Sequence, residues 1–409
     1  MRGIKNMKVL FLGSVIKTED CTKYIGPSVA GNKMQIGIIK GLSKRLKNNL
    51  TVFTQVPIGA FPKEKKLWLE TGKIQLVYDI EGHKIPSINI LILKQLFFII
   101  NTCMMLVHWS IKNREEDKMI LTFNSFPTIS LPVLIVGKIF KLKNVCIFAD
   151  PPIDVIERGT FGSVVKMIES AVTKFSIKKY DGLIVLNEKS IEKYAPTAKY
   201  ILIDGGFDLD DCPTNLPGGQ WVTTKSQDVI TGVFSGALYE YNGVKNLVKA
   251  MAYIKSEKFS LDIYGTGPLE EYIKDAAIRD KRIRFMGNIS NDKMLKIQQE
   301  AGVLINPRIV NDSISLYTFP SKMIEYFLSG TPVATTRLNG LTHEYLENSF
   351  VFQDESPKEI ARMINYILLQ DKAELIKMGT SARGFIVNNK NWDKNCLKID
   401  YFLKNIYGL

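Results

Sequence analysis

Short apolar runs alternate with helix-spaced stretches along almost the whole chain, and this alternation constrains the fold more than any other feature. Met7–Leu12 is apolar but too short for a buried helix. Lys33–Arg45 follows with Met34, Ile38 and Leu42 at helical spacing, and then comes a second short run, Leu50–Thr54. That is a β-α-β opening. Met119–Phe123, Asn144–Phe148, Gly182–Leu186 and Tyr200–Ile203 repeat the theme, with helical stretches such as Phe161–Tyr180 between them. Continuous apolar runs separated by helices predict a parallel sheet covered on both faces.

The pattern lapses over Asp208–Lys225, where two prolines, two glycines and no periodicity predict a linker. It then restarts, with strands expected at Val229–Phe234, Ser260–Tyr264, Ile283–Met286, Val303–Asn306 and Pro332–Thr336. Helices are expected at Val244–Ile254, Leu269–Ile278, Asp292–Ala301 and Lys322–Ser329, and an amphipathic one at Trp392–Ile406. The expected domains are residues 1–210, residues 211–390, and a terminal helix, 391–409, returning to the first domain. Two such α/β domains place a crevice at the carboxyl ends of two sets of strands, where these sheets bind ligands.

Composition narrows the chemistry. Of 409 residues, 45% are hydrophobic and 23% charged, which is ordinary for a globular chain and excludes general disorder. The five scattered cysteines form no C-x-x-C, and the three histidines form no H-E-x-x-H. This argues against zinc or redox motifs and against a secreted disulfide framework. The net charge of +13 is uneven: residues 1–212 hold 30 basic and 20 acidic side chains, the remainder 24 and 21. A basic first half suits an anionic partner, with solvated surface lysines as the alternative. No RNP, zinc-finger or helix-turn-helix signature supports nucleic acid. No signal peptide is expected, since Lys8–Ile16 reads as a first strand. Ile88–Trp109 is the most membrane-like segment, but Lys94–Gln95 interrupts it, leaving a run too short to span a bilayer. It reads as a buried helix or as one lying in the membrane surface.

Four segments suit phosphate or nucleotide. Ser28–Met34, with Gly31 and Asn32, opens a helix after the first strand, but not with the G-x-G-x-x-G spacing. Phe234–Leu238, with Gly236, followed by Asn242–Leu247, does the same in the second half. Gly265-Thr-Gly267-Pro268 ends a strand and starts a helix. The most informative is Asn306-Pro307-Arg308 followed by Tyr317–Val333. There Pro320 and Ser321 stand at a helix start whose free N–H groups, with Lys322 and Arg308, suit a diphosphate. Glu325 lies one turn on, where a carboxylate can accept two vicinal hydroxyls of a ribose.

These residues resemble glycosyltransferase family 4, the retaining sugar-nucleotide transferases of the GT-B fold, over most of the chain. The likeness rests on Asn306–Val333 with Gly236, Gly265-x-Gly267-Pro268, Phe285-Met-Gly287-Asn288 and Gly340 in order. The Phe319-Pro-Ser-Lys322 and Gly205-Gly206-Phe-Asp208 elements are similar to bacterial exopolysaccharide and capsule enzymes. The sequence departs from the family pattern at Tyr317, where the first Glu of E-x7-E would stand, and at Ala237 and Asn242, where Arg and Lys are frequent. Asp150 stands where the first domain often holds His.

The resemblance implies an α/β GT-B chain with two Rossmann-like domains facing a cleft. It implies a metal-independent hexosyltransferase that moves a sugar from a UDP- or GDP-sugar to an acceptor hydroxyl with retention, in bacterial surface polysaccharide synthesis. No cofactor is expected, and the leaving diphosphate itself can deprotonate the acceptor. Residues and resemblance together point to Asp150, Lys322 and Glu325 as catalytic. They point to Gly31, Asn32, Gly236, Gly265, Gly267, Asn288, Arg308, Tyr317, Phe319, Pro320 and Ser321 as donor-binding. A lipid-linked glycan acceptor, and a cytoplasmic location reaching the inner membrane face, follow from the basic first half and Ile88–Trp109. Three alternatives stay open: a GT-A enzyme using Asp208-Leu-Asp210 for a metal, another GT-B activity such as a sugar-nucleotide epimerase, and a non-catalytic partner in a polysaccharide complex.

Overall fold

In the computed structural model, which describes residues 7–21, 23–77, 79–153, 160–211 and 230–408, the chain divides into Met1–Asp208 with Trp392–Leu409, and Leu209–Asn391. Most of the expected linker Asp208–Lys225, from residue 212 on, lies outside the described residues.

The first unit is built on β1 (Lys8–Gly13), β2 (Leu50–Thr54), β4 (Gly72–Val77), β5 (Ile80–Lys84), β7 (Lys118–Phe123), β8 (Lys143–Phe148), β9 (Gly182–Val185) and β10 (Tyr200–Leu202). In space they run β10, β9, β8, β7, β1, β2, β5, β4. All pairs are parallel except β4, which turns back antiparallel on β5. That hairpin has no counterpart in the sequence-based expectation. A short antiparallel pair, β3 (Trp68–Leu69) with β6 (Ser87–Ile88), stands apart.

Strand side chains alternate between faces, so β1 feeds two cores. Val9 and Phe11 join Ile38 and Leu42 of helix α1 (Val29–Leu46), whereas Leu10 and Leu12 join Phe98 and Leu106 of helix α2 (Leu91–Lys112). The helix Trp392–Tyr407 seals the first of these cores with Trp392, Ile399 and Phe402. Two glycines one turn apart admit it: a Cβ on Gly37 would stand 2.0 Å from Trp392 Nε1, and one on Gly41 2.5 Å from Cys396 Sγ. The segment before the expected linker holds the same helix, since Phe207 O accepts from Trp392 N and Gly205 O accepts from Asn395 Nδ2.

Helix α2 starts three residues later than Ile88 and is only partly interior. Phe98, Thr102, Leu106 and Trp109 are buried, but Ile92, Leu96, Ile100 and Met104 face solvent. It packs against α3 (Pro127–Phe140), which packs in turn against α4 (Thr160–Ser176).

The second unit has a six-stranded, all-parallel sheet: β11 (Ile230–Ser235), β12 (Phe259–Tyr264), β13 (Ile283–Gly287), β14 (Val303–Asn306), β15 (Val333–Thr336) and β16 (Phe350–Phe352), in the order β13, β12, β11, β14, β15, β16. The chain builds outward from β11 to one side and from β14 to the other. The order therefore reverses between β11 and β14, the place where such sheets present a ligand crevice.

Candidate functional site

At that reversal, β11 ends in Ser235 and β14 in Asn306, and the loops beyond them carry most of the residues singled out in the second half. The Gly236–Leu238 and Gly265–Gly267 loops run so close that their backbones bond. Gly236 N donates to Tyr264 O, Leu238 N to Thr266 O, and Gly265 N to Gly287 O. Gly265 has φ +137°, and a Cβ there would stand 1.8 Å from Gly236 O. Only glycine satisfies both demands, so packing of one loop on another accounts for Gly265, whereas a Cβ on Gly236 would make only ordinary contact with the Phe234 ring. Asn242, which replaces a frequent lysine, donates from Nδ2 to Ala237 O at 2.7 Å and closes the first loop on itself. Asn288, just past β13, is exposed.

Beyond β14 the chain makes a short helix, Ser313–Tyr317, and then the helix Lys322–Ser329. Arg308 ties these together. It is buried, donating from Nε to Ser315 Oγ and from Nη2 to Thr318 Oγ1, both at 2.9 Å, with its guanidinium 5.4 Å from the Tyr241 ring centre. Burial lowers its pKa, opposed by the nearby Tyr241 and Asp312. These bonds direct the guanidinium into the loop, a supporting position that its expected place on the diphosphate did not anticipate. Tyr317 is half-buried in the short helix, and Phe319 and Pro320 are buried. Phe319 packs on Tyr345, ring centres 5.5 Å apart, so it serves as packing under the site.

The helix start itself is open. Ser321 is exposed and makes no side-chain cap, and among the described residues neither its backbone N–H nor that of Lys322 has a bonding partner; the first helical amides, Met323 and Ile324, reach back to Pro320 and Ser321. Lys322 Nζ and Glu325 Oε2 pair at 3.1 Å, both half-exposed, as the three-residue spacing requires. Such a pair contributes little to stability. A cation, two free amides and a carboxylate thus share the solvent-facing end of one helix. Under it, Tyr326 accepts the backbone N–H of Ser235 at 2.9 Å, and Ser235 Oγ accepts from Gln298 Nε2 at 3.3 Å. Sequence reasoning missed Tyr326; its place one residue after Glu325, on the buried face, was the available signal.

In the first unit the order reverses between β1 and β7. Gly31 donates its N–H to the Ser28 N-cap at 3.1 Å. Asn32 is buried, accepting from Ile16 N at 2.9 Å and donating to Ile16 O at 3.0 Å. Both polar atoms of Asn32 therefore hold the loop after β1, which differs from its expected part in donor binding. Asp150 follows β8. Its Oδ2 accepts from Asn124 Nδ2 at 2.7 Å, and Asn124 Oδ1 accepts from the backbone of Ala149 and Asp150. Asn124, at φ +63°, ends β7 and was not anticipated. Burial pushes the Asp150 carboxyl above the ordinary carboxylate range, and the Asn124 amide pulls it down. The residue as a whole stays open to solvent, so its carboxyl is crowded by protein rather than sealed from water.

Among the described residues no group of three or more His, Cys, Asp or Glu could hold a metal ion. Asp208, the first acid of Asp208-x-Asp210, forms an ion pair with Lys40.

Comparison with known proteins bears on the fold and the family. Residues 230–370 match the family model described as glycosyl transferases group 1. An uncharacterized glycosyltransferase of Methanocaldococcus jannaschii is 23% identical over 239 residues, 56% of this chain and 59% of that protein, so the match spans under two thirds of the relative's length. Among solved structures, sucrose-phosphate synthase from Thermosynechococcus elongatus has 16% identity and a TM-score of 0.63, covering 98% of this chain and 99% of the other. HepE of Anabaena, in complex with UDP, has 14% identity and a TM-score of 0.64, covering 98% and 100%. The fold is GT-B, α/β with two Rossmann-like domains. The family match and the relative support a glycosyltransferase.

Proposed function

We propose that the chain is a retaining, metal-independent hexosyltransferase that takes a sugar from a UDP- or GDP-sugar bound in the second unit and passes it to an acceptor hydroxyl. We place it in bacterial surface polysaccharide synthesis, with a lipid-linked glycan as acceptor and a cytoplasmic location. The observation that carries the reading is the solvent-facing end of Lys322–Ser329, where the free Ser321 and Lys322 amides, the Lys322 ammonium and Glu325 converge.

Departure of the diphosphate builds negative charge on its oxygens while the sugar gains positive charge. Two amides at the helix start, fixed before the reaction, stabilise the leaving group without reorganisation, and the Lys322 ammonium adds its charge once it leaves Glu325. Glu325 is within one turn, suited to accept both ribose hydroxyls while Lys322 turns from the carboxylate to the phosphates. Arg308 holds Ser315 and Thr318, and so the loop that leads into this helix. Asp150, held by Asn124 after β8, is the first unit's candidate for handling the acceptor hydroxyl. The leaving diphosphate takes the acceptor proton, so no further protein base is required.

The experiment is a screen of UDP- and GDP-sugars for thermal stabilisation, followed by transfer assays with the stabilising donor. Stabilisation by one donor class, lost in Lys322→Ala, is the expected result. Absence of stabilisation by every sugar nucleotide would remove the donor site from this helix.

A further inference from the structure

A surface helix ordinarily turns a polar stripe to water. Helix α2 does not: Ile92, Leu96, Ile100, Met104 and Ile111 follow one another at helical spacing on its outer side and are 45–64% exposed. Its inner side is fully engaged, with Phe98, Thr102, Leu106 and Trp109 in the core. α2 is long and apolar enough to cross a membrane by length and composition, yet its buried stripe fastens it to the sheet, so it is a surface helix. Its neighbours extend the pattern. α3 exposes Ile135 and Ile139, and α4 exposes Val164, Ile168 and Phe175. Trp68, 53% exposed, stands on β3, whose partner β6 leads into α2. Soluble monomers rarely leave so much apolar surface together.

The charge on these elements is one-sided. Residues 91–112, 127–140 and 160–179 contain seven lysines (94, 112, 138, 166, 174, 178, 179) and one acid, Glu169; of these Lys94 is buried on Ile58 O and takes no part in the face. Lys112, Lys138, Lys178 and Lys179 are exposed, and Lys179 lies 5.5 Å from the ring centre of exposed Phe175. Lys63, Lys65 and Lys66 precede Trp68. A second copy of the same face would set lysine against lysine. An anionic lipid surface answers both features, taking the apolar side chains among its acyl chains and pairing the ammonium groups with its headgroups.

We infer that α2, α3 and α4 form a peripheral docking face for an anionic lipid leaflet. The face stands on the first unit alone and does not depend on the donor site. A lipid-linked acceptor would then meet the protein on the unit that lies on the membrane.

The test is co-sedimentation of the whole protein with vesicles of phosphatidylcholine alone or with phosphatidylglycerol, with no donor or acceptor present. Failure of the donor assignment would leave this readout untouched. Binding is expected only with phosphatidylglycerol, weakening at least tenfold in 1 M salt, where screening shortens to about 3 Å. Ile100→Glu with Met104→Glu, and separately Lys178→Glu with Lys179→Glu, should each lower vesicle affinity at least tenfold. Circular dichroism should be unchanged, because these side chains point outward. Wild-type protein that stays in the supernatant, or binds both vesicle types equally, overturns the proposal. So does a solution dimer that Ile100→Glu converts to monomer with vesicle binding unaltered, which would assign the face to a second copy.

Discussion

The Tyr326 hydroxyl accepts the backbone N–H of Ser235 at 2.9 Å, joining residues 91 apart in sequence. With the Tyr326 hydroxyl also donating to Ser235 O at 3.3 Å, this contact links the helix that presents Lys322 and Glu325 to the end of β11, the strand beside the sheet's reversal point. Both residues are buried, so the Ser235 amide has no water to replace the hydroxyl. Tyr326→Phe should cost about 1–3 kcal/mol, the range for stranding a buried donor. Urea unfolding should show it as a lower midpoint at unchanged slope, and donor affinity should fall with it. A variant as stable as the parent would mean that the amide finds another partner.

Lys322→Ala and Glu325→Ala should each nearly abolish transfer, by about 2–4 kcal/mol in the activation barrier, while leaving the fold intact. The half-exposed pair contributes little to stability, so the two effects separate. Turnover and melting temperature measured on the same preparations check this; parental turnover in both variants would move the donor site elsewhere.

Transfer should persist in EDTA. The diphosphate is neutralised in this reading by helix amides and Lys322, not by a divalent ion. Full loss in EDTA with recovery on manganese would instead favour a metal held by Asp208-x-Asp210.

Asp150→Asn should impair kinetics on the true acceptor and leave donor binding unchanged, since Asn124 can still donate to the new amide oxygen. The sign of its pH effect follows from its raised pKa. Above the unfolded-state value the charged carboxyl is the less favoured form in the folded protein, so its share of stability falls as pH rises through the carboxylate range. The variant should lose that slope, read from unfolding curves taken upward in pH from the ordinary carboxylate range. Unchanged acceptor kinetics would leave Asp150 only the loop that Asn124 holds.

Lys94 offers a second pH signature. It is buried at the start of α2, its Nζ donates to Ile58 O, and desolvation lowers its pKa from 10.5 to about 8. The charged form is therefore costly in the folded state below about 8, while the unfolded chain stays protonated to 10.5. Stability should rise with pH between those values, by roughly 3 kcal/mol at most. Lys94→Met should flatten that rise, and a parent protein showing no rise would place the ammonium in water.

Much of this architecture is legible from spacing alone. β1, β2 and β14 fall within a residue of the apolar runs that predict them, because a strand buried on both faces leaves no polar position to blur its ends. The β4–β5 hairpin is not legible, since Gly72–Val77 and Ile80–Lys84 are only partly buried and mix charged with apolar residues. At the site, Lys322 and Glu325 are readable because their spacing fixes their contact. Asn32 and Arg308 carry a supporting role that no pattern announces: each is a polar residue beside a glycine or proline turn, and only the folded chain shows the bonds it makes to the loop around it. Asn124 and Tyr326 act across 26 and 91 residues, distances at which no local pattern announces a partner.

The return of Trp392–Tyr407 to the first unit also sets a schedule for synthesis. A ribosome translates Leu209–Asn391 before it reaches the residues that close the core around Val9, Phe11 and Ile38. Through that interval the α1 groove, with Gly37 and Gly41 at its floor, stands open and apolar. Nascent first units are then the aggregation-prone species. A premature stop anywhere in the second unit releases a chain with that groove uncovered, a surface that holdase chaperones and quality-control proteases can seize.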